Sequence, residues 1–154
     1  HYKCCGNGTI NFDDEWDEEY RRFQGSNQIK SYVDTFLSDS NVIILGDLND
    51  EIQESQNSNV FWAFINDDEN YKFADSDITN SSSSTWSWPG WDSSYSASHF
   101  DHILISNELF DDFANPLSGC QTIKAEEYLQ GGWQEYNAYV SDHRPVAILL
   151  QMGN

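Results

Sequence analysis

The sequence predicts an α/β fold, because short apolar runs typical of strands alternate with stretches of helical periodicity. Three such runs, at residues 42–45, 103–105 and 146–150, are rich in Val, Ile and Leu. Apolar positions in residues 12–37 recur mainly at the spacing of a helix. The 154 residues, 38% of them hydrophobic and 15% aromatic, are enough for one domain with a core.

The first expected element is a helix over residues 12–37. Acidic side chains at residues 13–15 place negative charge at the positive end of its dipole. Glu18 lies four residues before Arg22, which is the favourable orientation for a pair of charged side chains on a helix. We expect the helix to pack an aromatic stripe against a sheet and to turn its acids to solvent.

The remaining elements are shorter. The pattern predicts a helix at 60–65, with a strand as the alternative, strands at 71–74, 103–105, 120–124 and 146–152, and a short helix at 108–113. Residues 80–84 are a polar loop, and residues 126–139 are expected to form an aromatic loop that contains glycine.

A turn-rich segment carries three tryptophans, Trp86, Trp88 and Trp91, around a Pro-Gly pair. Aromatic side chains at this density can stack on bases or sugars. They can equally cover an exposed edge of the core. Packing is the favoured interpretation, and Trp91 is given no role.

Residues 41–50, NVIILGDLND, bring candidate functional groups to the end of a strand that we expect to be buried on both faces. If the extended backbone continues beyond Gly46, Asp47 and Asn49 project from the same face. A carboxylate suits a hard cation or orients a water, and an amide donates to a phosphate oxygen. The alternative is an ordinary Gly-Asp turn.

Two later strands carry further polar groups at their entrances. Asp101 opens the second apolar strand, and Asp142 with His143 comes immediately before the third. His99 and His102 flank Asp101. Because strand side chains alternate, His102 points away from Asp101, so a structural role is expected for it.

The motifs GDLN, FDHILIS and SDHRPV, in this order, resemble those of the endonuclease/exonuclease/phosphatase superfamily, which has the fold of pancreatic-type deoxyribonucleases. Residues 1–6, HYKCCG, are similar to an HxKCCG-type segment of bacterial nuclease-like members. The resemblance implies a four-layer α/β sandwich, two mixed β-sheets flanked by helices. Residues 1–154 would form a single domain that is its C-terminal portion, without the N-terminal portion and its metal-binding glutamate.

The resemblance also implies roles for the acids and for one histidine. His143 would be the general base or the electrostatic partner at the scissile phosphate, oriented by Asp101. Asp142 would be a carboxylate of the metal site. Asp47 would orient the attacking water or share the metal.

Two further residues are assigned in the same way. Asn49 would contact the phosphate. His1 would act as a phosphate ligand or as a general acid, and its usual carboxylate partner would belong to the missing portion.

The implied activity is metal-dependent hydrolysis of phosphodiester bonds, with a nuclease acting on DNA or RNA as the leading form. The expected cofactor is a divalent cation, Mg²⁺ first, with Mn²⁺ or Ca²⁺ as alternatives. A phosphatase or lipid phosphodiesterase on the same fold, or a non-catalytic acidic binding module, are the competing hypotheses. The chain alone is expected to be nearly inactive, and either oligomeric or bound to its N-terminal half.

Charge limits the partners that this chain can bind. The net charge is −19, from 26 acidic and seven basic side chains. Binding of a long nucleic acid usually draws on several Lys or Arg contacts to phosphates. The composition therefore argues against tight binding of DNA, and it fits a small phosphodiester, a saline environment, or a basic surface in the missing portion.

The three cysteines leave two interpretations open. Neighbouring cysteines rarely bond to each other, so Cys4 or Cys5 would pair with Cys120, which favours a secreted protein. Buried free thiols are the alternative. The spacing does not suit zinc. No apolar run approaches the length of a membrane span.

Overall fold

The computed structural model describes residues 1–90 and 94–153, so Trp91 lies outside the described residues. The elements in chain order are α1 (Glu18–Phe36), β1 (Ile43–Asp47), α2 (Trp62–Ile65), β2 (Tyr71–Phe73), α3 (Ser76–Thr79), β3 (Asp101–Ser106), α4 (Phe110–Phe113), β4 (Gly119–Thr122), α5 (Gly132–Tyr139) and β5 (Val146–Leu149). Short 3-10 turns lie at Ser83–Thr85, Asn107–Leu109 and Ala125–Tyr128. The predicted mixed α/β class is confirmed.

The strands form two small antiparallel sheets. The order β1-β3-β2 makes β3 the centre of a three-stranded sheet, and β4 pairs with β5 in a second sheet. Leu45 lies opposite Ile103 in the first sheet, and Cys120 lies opposite Ile148 in the second. The central position of β3 explains why its residues are almost all buried.

Each face of β3 contributes to a different part of the core. Leu104 belongs to a cluster with Val33 of α1 and Phe61, which packs one face of the sheet against α1. Ile103 and Ile105 belong to a second cluster, with β5 packed against them. This two-sided burial accounts for the unbroken apolar run at 103–105.

Strand β1 differs from the expectation that both of its faces are buried. Ile43 is 40% exposed and Leu45 is 66% exposed. Both lie opposite residues of β3 that the second sheet covers, Ile105 and Ile103. Since β1 is at the edge of its sheet, it lies beyond this cover, and that expectation was wrong.

Helix α1 is shorter at its N-terminus than predicted. Asp17 is the N-cap, and its carboxylate accepts a hydrogen bond from the amide of Tyr20. Trp16 precedes the helix and is 73% exposed, and Tyr32 is also exposed, so the aromatic stripe is only partly packed. The expectation of a solvated acidic face was also wrong in part, because Glu19 is buried.

The later elements follow the pattern with one exception. Residues 60–65 contain α2, and β2, β4 and β5 are present with somewhat shorter bounds than predicted. The expected loop at 126–139 instead contains a 3-10 turn and α5. The carboxylate of Glu135 accepts a bond from the amide of Gly131, the N-cap of α5, and Tyr136 is buried, which stabilises this helix despite the glycines at its start.

The cysteines pair differently from the expectation. Cys4 and Cys5 form a disulfide with each other, and Cys120 is a half-buried free thiol on β4. Cys5 has a positive φ of 74°, a local backbone arrangement that the sequence does not reveal. In the described part of the chain, no helix is long and apolar enough to span a membrane.

Candidate functional site

The candidate site is built where β1 ends and β3 begins. Because these strands are antiparallel, the register places Asp47 directly opposite Asp101. Gly46, with a φ of 152°, adopts a backbone conformation that L residues rarely take just before Asp47. Asp47 and Asp101, which belong to separate sequence motifs, are therefore neighbours.

His143 reaches this strand end from the turn before β5. Its Nδ1 donates a hydrogen bond of 2.6 Å to Oδ2 of Asp101, and both side chains are 21% exposed. The amide of His143 donates to Oγ of Ser141, and its carbonyl accepts from the hydroxyl of Tyr136. Hydrogen bonds to the backbone amide and carbonyl of His143 thus fix the residue that carries the imidazole. The expected contact with Asp101 is confirmed.

The contact between Asp101 and His143 shifts the pKa of both groups. Burial opposes a charged imidazole, but Asp101, helped by Asp47 and Asp142, outweighs it and raises the pKa of His143. Burial likewise favours a neutral Asp101, but hydrogen bonds from His143 and Ser87 lower the pKa of that carboxyl. Because Nδ1 is engaged by Asp101, Nε2 is the nitrogen left to act on a bound ligand.

A local turn, and not the alternation of a strand, brings Asp47 and Asn49 together. The strand ends at Asp47, and Asn49 has a left-handed φ of 53°. Its amide donates to Oδ1 of Asp47 at 3.0 Å, which closes a local turn. The expected continuation of the extended backbone was therefore wrong, although the two side chains remain adjacent.

His1 lies against these two side chains. Its Nε2 is 3.1 Å from Oδ2 of Asp47 and 3.1 Å from Nδ2 of Asn49. The amide of Tyr2 donates to the carbonyl of Asp47, which aligns the start of the chain with the end of β1. The carboxylate partner of His1 was expected in the missing portion, whereas the structure places His1 beside Asp47 of this chain, with its side chain 67% exposed.

Arg22 anchors this first segment, and the sequence did not single it out. Its guanidinium donates to the carbonyls of Lys3 and Cys5 and, through Nε, to Oδ2 of Asp50 at 3.0 Å. The expected solvent-facing pair with Glu18 was wrong, because Arg22 is buried beside Glu19 instead. A buried ion cluster of Arg22, Glu19 and Asp50 therefore joins α1 to the segment that follows β1.

These groups line one cleft of about 730 Å³. It takes in every predicted site residue except Asp101, which contacts it through His143. Its other lining includes the Cys4–Cys5 segment, aromatic side chains and several acids, among them Glu19, Asp50, Glu51 and Glu54.

The cleft holds both predicted cation ligands among several other carboxylates. Asp47 and the exposed Asp142 both line it. Burial and the nearby Asp101 raise the pKa of Asp47, although its Oδ2 lies 3.1 Å from Nε2 of His1. Carboxylates in such surroundings suit a hard cation. Among the described residues, neither group of three clustered ligands includes them.

One of those groups, Asp75, His99 and His102, is buried and was not predicted. Oδ2 of Asp75 accepts from Nδ1 of His102 at 2.7 Å and from Nε2 of His99 at 3.2 Å. Nε2 of His102 donates to the carbonyl of Asp50, and Nδ1 of His99 accepts from the amide of Ser87. All four ring nitrogens are used, which favours a hydrogen-bonded cluster over a metal centre.

Burial and pairing set the charges of this cluster. Burial would neutralise Asp75, but hydrogen bonds from His102 and His99 outweigh it and lower its pKa. Burial would also neutralise His102, but Asp75 raises its pKa. The pair is therefore a buried carboxylate and imidazolium, and the structural role expected for His102 agrees with these contacts.

Ser87 connects the buried cluster to the cleft. Its amide donates to His99, its Oγ accepts from the amides of Phe100 and Asp101 at 3.2 Å each, and its carbonyl accepts from Arg144. Arg144 directly follows His143. Ser87 is fully buried and fixes the backbone at Asp101 and next to His143. No sequence pattern predicts this role.

The chain matches no protein-family model, no curated protein and no solved structure. The resemblance to the endonuclease/exonuclease/phosphatase superfamily therefore rests on the sequence motifs alone and stays a prediction.

Proposed function

We propose that this cleft is part of the active site of a metal-dependent phosphodiesterase, with a nuclease as its leading form. The observation that carries the proposal is the 2.6 Å bond between Asp101 and His143 at the wall of a cleft that also holds Asp47, Asn49 and Asp142. A water nucleophile, a stabilised phosphoryl group and a protonated leaving oxygen are the needs of diester hydrolysis, and these side chains can serve them.

His143 holds and moves the proton in this proposal. With Nδ1–H fixed on Asp101, neutral His143 presents a lone pair at Nε2, which accepts the proton of an attacking water. In its charged form the same ring stabilises the negative phosphoryl oxygens. Asp101 fixes the tautomer and favours the imidazolium, in line with the raised pKa of His143.

Asp47 and Asn49 position the substrate. The carboxylate of Asp47 accepts a hydrogen bond from the water, and the amide of Asn49 donates to a phosphoryl oxygen. His1, close to both, serves as a phosphate ligand or as an acid for the leaving oxygen. Asp47 and Asp142 would hold a divalent cation, Mg²⁺ first, which supplies charge neutralisation at the phosphate.

We also propose that the two sheets belong to a four-layer α/β sandwich whose remaining strands are outside this chain. The exposed Ile43 and Leu45 support this, because they extend the apolar face of Ile103 and Ile105 beyond the second sheet. Further polypeptide of the same domain, or a second copy of the chain, would cover them. The mass of the chain in solution distinguishes these occupants from a bare monomer.

The direct test is hydrolysis of bis(p-nitrophenyl) phosphate and of a plasmid with Mg²⁺, Mn²⁺ or Ca²⁺, by the chain and by any longer protein that contains it. We expect turnover in the more complete protein that is abolished by excess chelator and restored by the metal. Unchanged turnover in chelator would contradict the metal requirement. Faster cleavage of p-nitrophenyl phosphate than of the diester would favour a phosphatase.

A further inference from the structure

The cleft has a second kind of lining that the proposed chemistry does not use. Trp88, Tyr95 and Phe100 contribute aromatic surface to it. The ring of Trp88 lies 5.6 Å from that of Phe100 at an angle of 30°, and 6.2 Å from that of Tyr95 at 72°. Tyr95 is 47% exposed, and the other two are half-buried, so this aromatic cluster retains surface for a ligand.

The backbone holds the aromatic cluster next to the candidate catalytic pair. Trp88 and Ser98 exchange two backbone hydrogen bonds, of 3.0 and 2.8 Å. Phe100 immediately precedes Asp101, and the amides of both donate to Oγ of Ser87. Trp88 follows Ser87 directly. The backbone of Trp88 and Phe100 is therefore positioned next to the serine that positions Asp101.

Gly90 lies against Tyr95 of the aromatic cluster. Its φ is 89°, and a Cβ at this position would lie 3.0 Å from the carbonyl oxygen of Tyr95. Only glycine fits both the conformation and the close approach. The aromatic cluster is thus a defined arrangement of side chains and backbone.

The rest of the cleft disfavours further negative charge. Its carboxylates outnumber its cations, and its one guanidinium, that of Arg22, is already bound by Asp50. Burial and the neighbouring acids Asp50 and Glu51 raise the pKa of Glu54 to about 7. The whole chain carries a net charge of −19. A ligand with many phosphates would meet repulsion along this surface.

We propose that Trp88, Tyr95 and Phe100 form a subsite for a nucleobase attached next to the scissile phosphate, and that the acidic lining restricts the site to short diesters. This rests on the proposed phosphodiesterase function. A base stacks on aromatic side chains whatever its sequence. Recognition of one base then replaces the series of phosphate contacts that nucleic-acid enzymes with basic clefts use.

The test compares two diesters with the same leaving group, thymidine 5′-(p-nitrophenyl phosphate) and methyl p-nitrophenyl phosphate. We expect the protein to prefer the thymidine diester, and Trp88→Ala to reduce that preference by roughly tenfold, the scale of one stacked base. Trp88→Phe should restore most of it. Trp16→Ala is the matched control, because Trp16 is exposed and lies outside the cleft lining.

Binding of the dinucleotide d(TpT) without turnover, followed by NMR, separates this proposal from the proposed function. If d(TpT) binds and Trp88→Ala weakens it, the subsite stands even when neither diester is hydrolysed. If both diesters are hydrolysed and Trp88→Ala leaves their ratio unchanged, the subsite is wrong and the phosphodiesterase function stands. Absence of both binding and hydrolysis overturns both.

The length limit has its own readout. Binding of a 20-residue oligothymidylate at low salt should be no tighter than that of d(TpT), and it should not weaken as salt is added. A basic nucleic-acid site behaves in the opposite way, since its affinity falls steeply with salt. A steep loss of oligothymidylate affinity between about 50 and 200 mM salt would contradict the role given to the acidic lining.

Discussion

Two aspartate–histidine pairs in this molecule have nearly the same geometry and different surroundings. Asp101 and His143 are joined at 2.6 Å, with both side chains 21% exposed. Asp75 and His102 are joined at 2.7 Å, with both side chains fully buried. The bond length therefore does not distinguish a candidate catalytic pair from a structural one.

The second nitrogen of each ring makes the distinction. Nε2 of His102 donates to the carbonyl of Asp50, so no nitrogen of this ring remains for a ligand. His143 uses Nδ1 for Asp101 and lines the cleft. A pair whose hydrogen-bonding groups are all used contributes stability, and a pair with an unused nitrogen at a cleft is available for chemistry.

The two pairs are also connected. Asp75 holds His99, His99 accepts from Ser87, and Oγ of Ser87 accepts from the amide of Asp101. The buried cluster therefore supports the backbone on which the open pair lies. Substitutions in the two pairs should have different primary effects, and Ser87 should show an intermediate effect.

The largest effect is expected from the open pair. His143→Gln and Asp101→Asn should each lower kcat/KM for a diester by about 10² to 10⁴, because proton transfer and its orientation are lost. The midpoint of thermal unfolding should change by less than about 4 °C, since neither side chain is fully buried. Steady-state kinetics and thermal melts measure both. Asp39→Asn, at an exposed acid, is the control.

The buried pair should show the converse. Asp75→Asn leaves a buried imidazolium without its carboxylate, and breaking such a pair costs about 3 to 5 kcal/mol. For a chain of this size, Tm should fall by on the order of 10 °C. Thermal unfolding followed by circular dichroism measures it. An unchanged Tm together with a complete loss of activity would show that this cluster takes part in the reaction.

Ser87 should report on the connection between the pairs. Ser87→Ala removes an acceptor for two backbone amides, and we expect kcat to fall roughly tenfold with KM nearly constant. Ser87→Thr, which keeps the hydroxyl, should restore most of kcat. If both variants lose the same activity and the same stability, Ser87 serves packing alone.

The smallest effect is the pH dependence of stability. His102 has a raised pKa in the fold, so its contribution is complete below about pH 6.5 and declines as the pH rises through that raised value. Asp75 has a lowered pKa, so its contribution is complete above about pH 4 and declines as the pH falls. Tm should be greatest between these limits, and Asp75→Asn should flatten the profile. Identical profiles for the two proteins would contradict the ionic pair.

Local patterns were enough to predict much of the fold. The apolar runs at 42–45, 103–105 and 146–150 overlap β1, β3 and β5, because length and β-branched content specify strands. The contact between Asp101 and His143 was expected because both residues lie at strand margins and the family resemblance pairs them. Burial of β1 could not be predicted from its run alone, because it depends on where the second sheet ends.

The missed residues share a physical reason. Asp75, Ser87 and Arg22 each bond to groups far away in the chain, and no periodicity or spacing predicts those partners. Arg22 was expected to pair with Glu18 on its own helix, but it pairs with the buried Asp50 of another segment. The Cys4–Cys5 disulfide was missed for a different reason, because it accompanies an unusual backbone conformation at Cys5.

Ring ¹⁵N NMR of the four histidines distinguishes the open pair from the buried cluster, with Mg²⁺ and dimethyl phosphate as probes. We expect the ring signals of His143 and His1 to move on addition of the probes. Those of His99 and His102 should remain unchanged, with ring N–H protons protected from exchange by their buried hydrogen bonds. Shifts confined to His99 and His102, with His143 unaffected, would exclude His143 from ligand binding and would make the buried cluster the metal site.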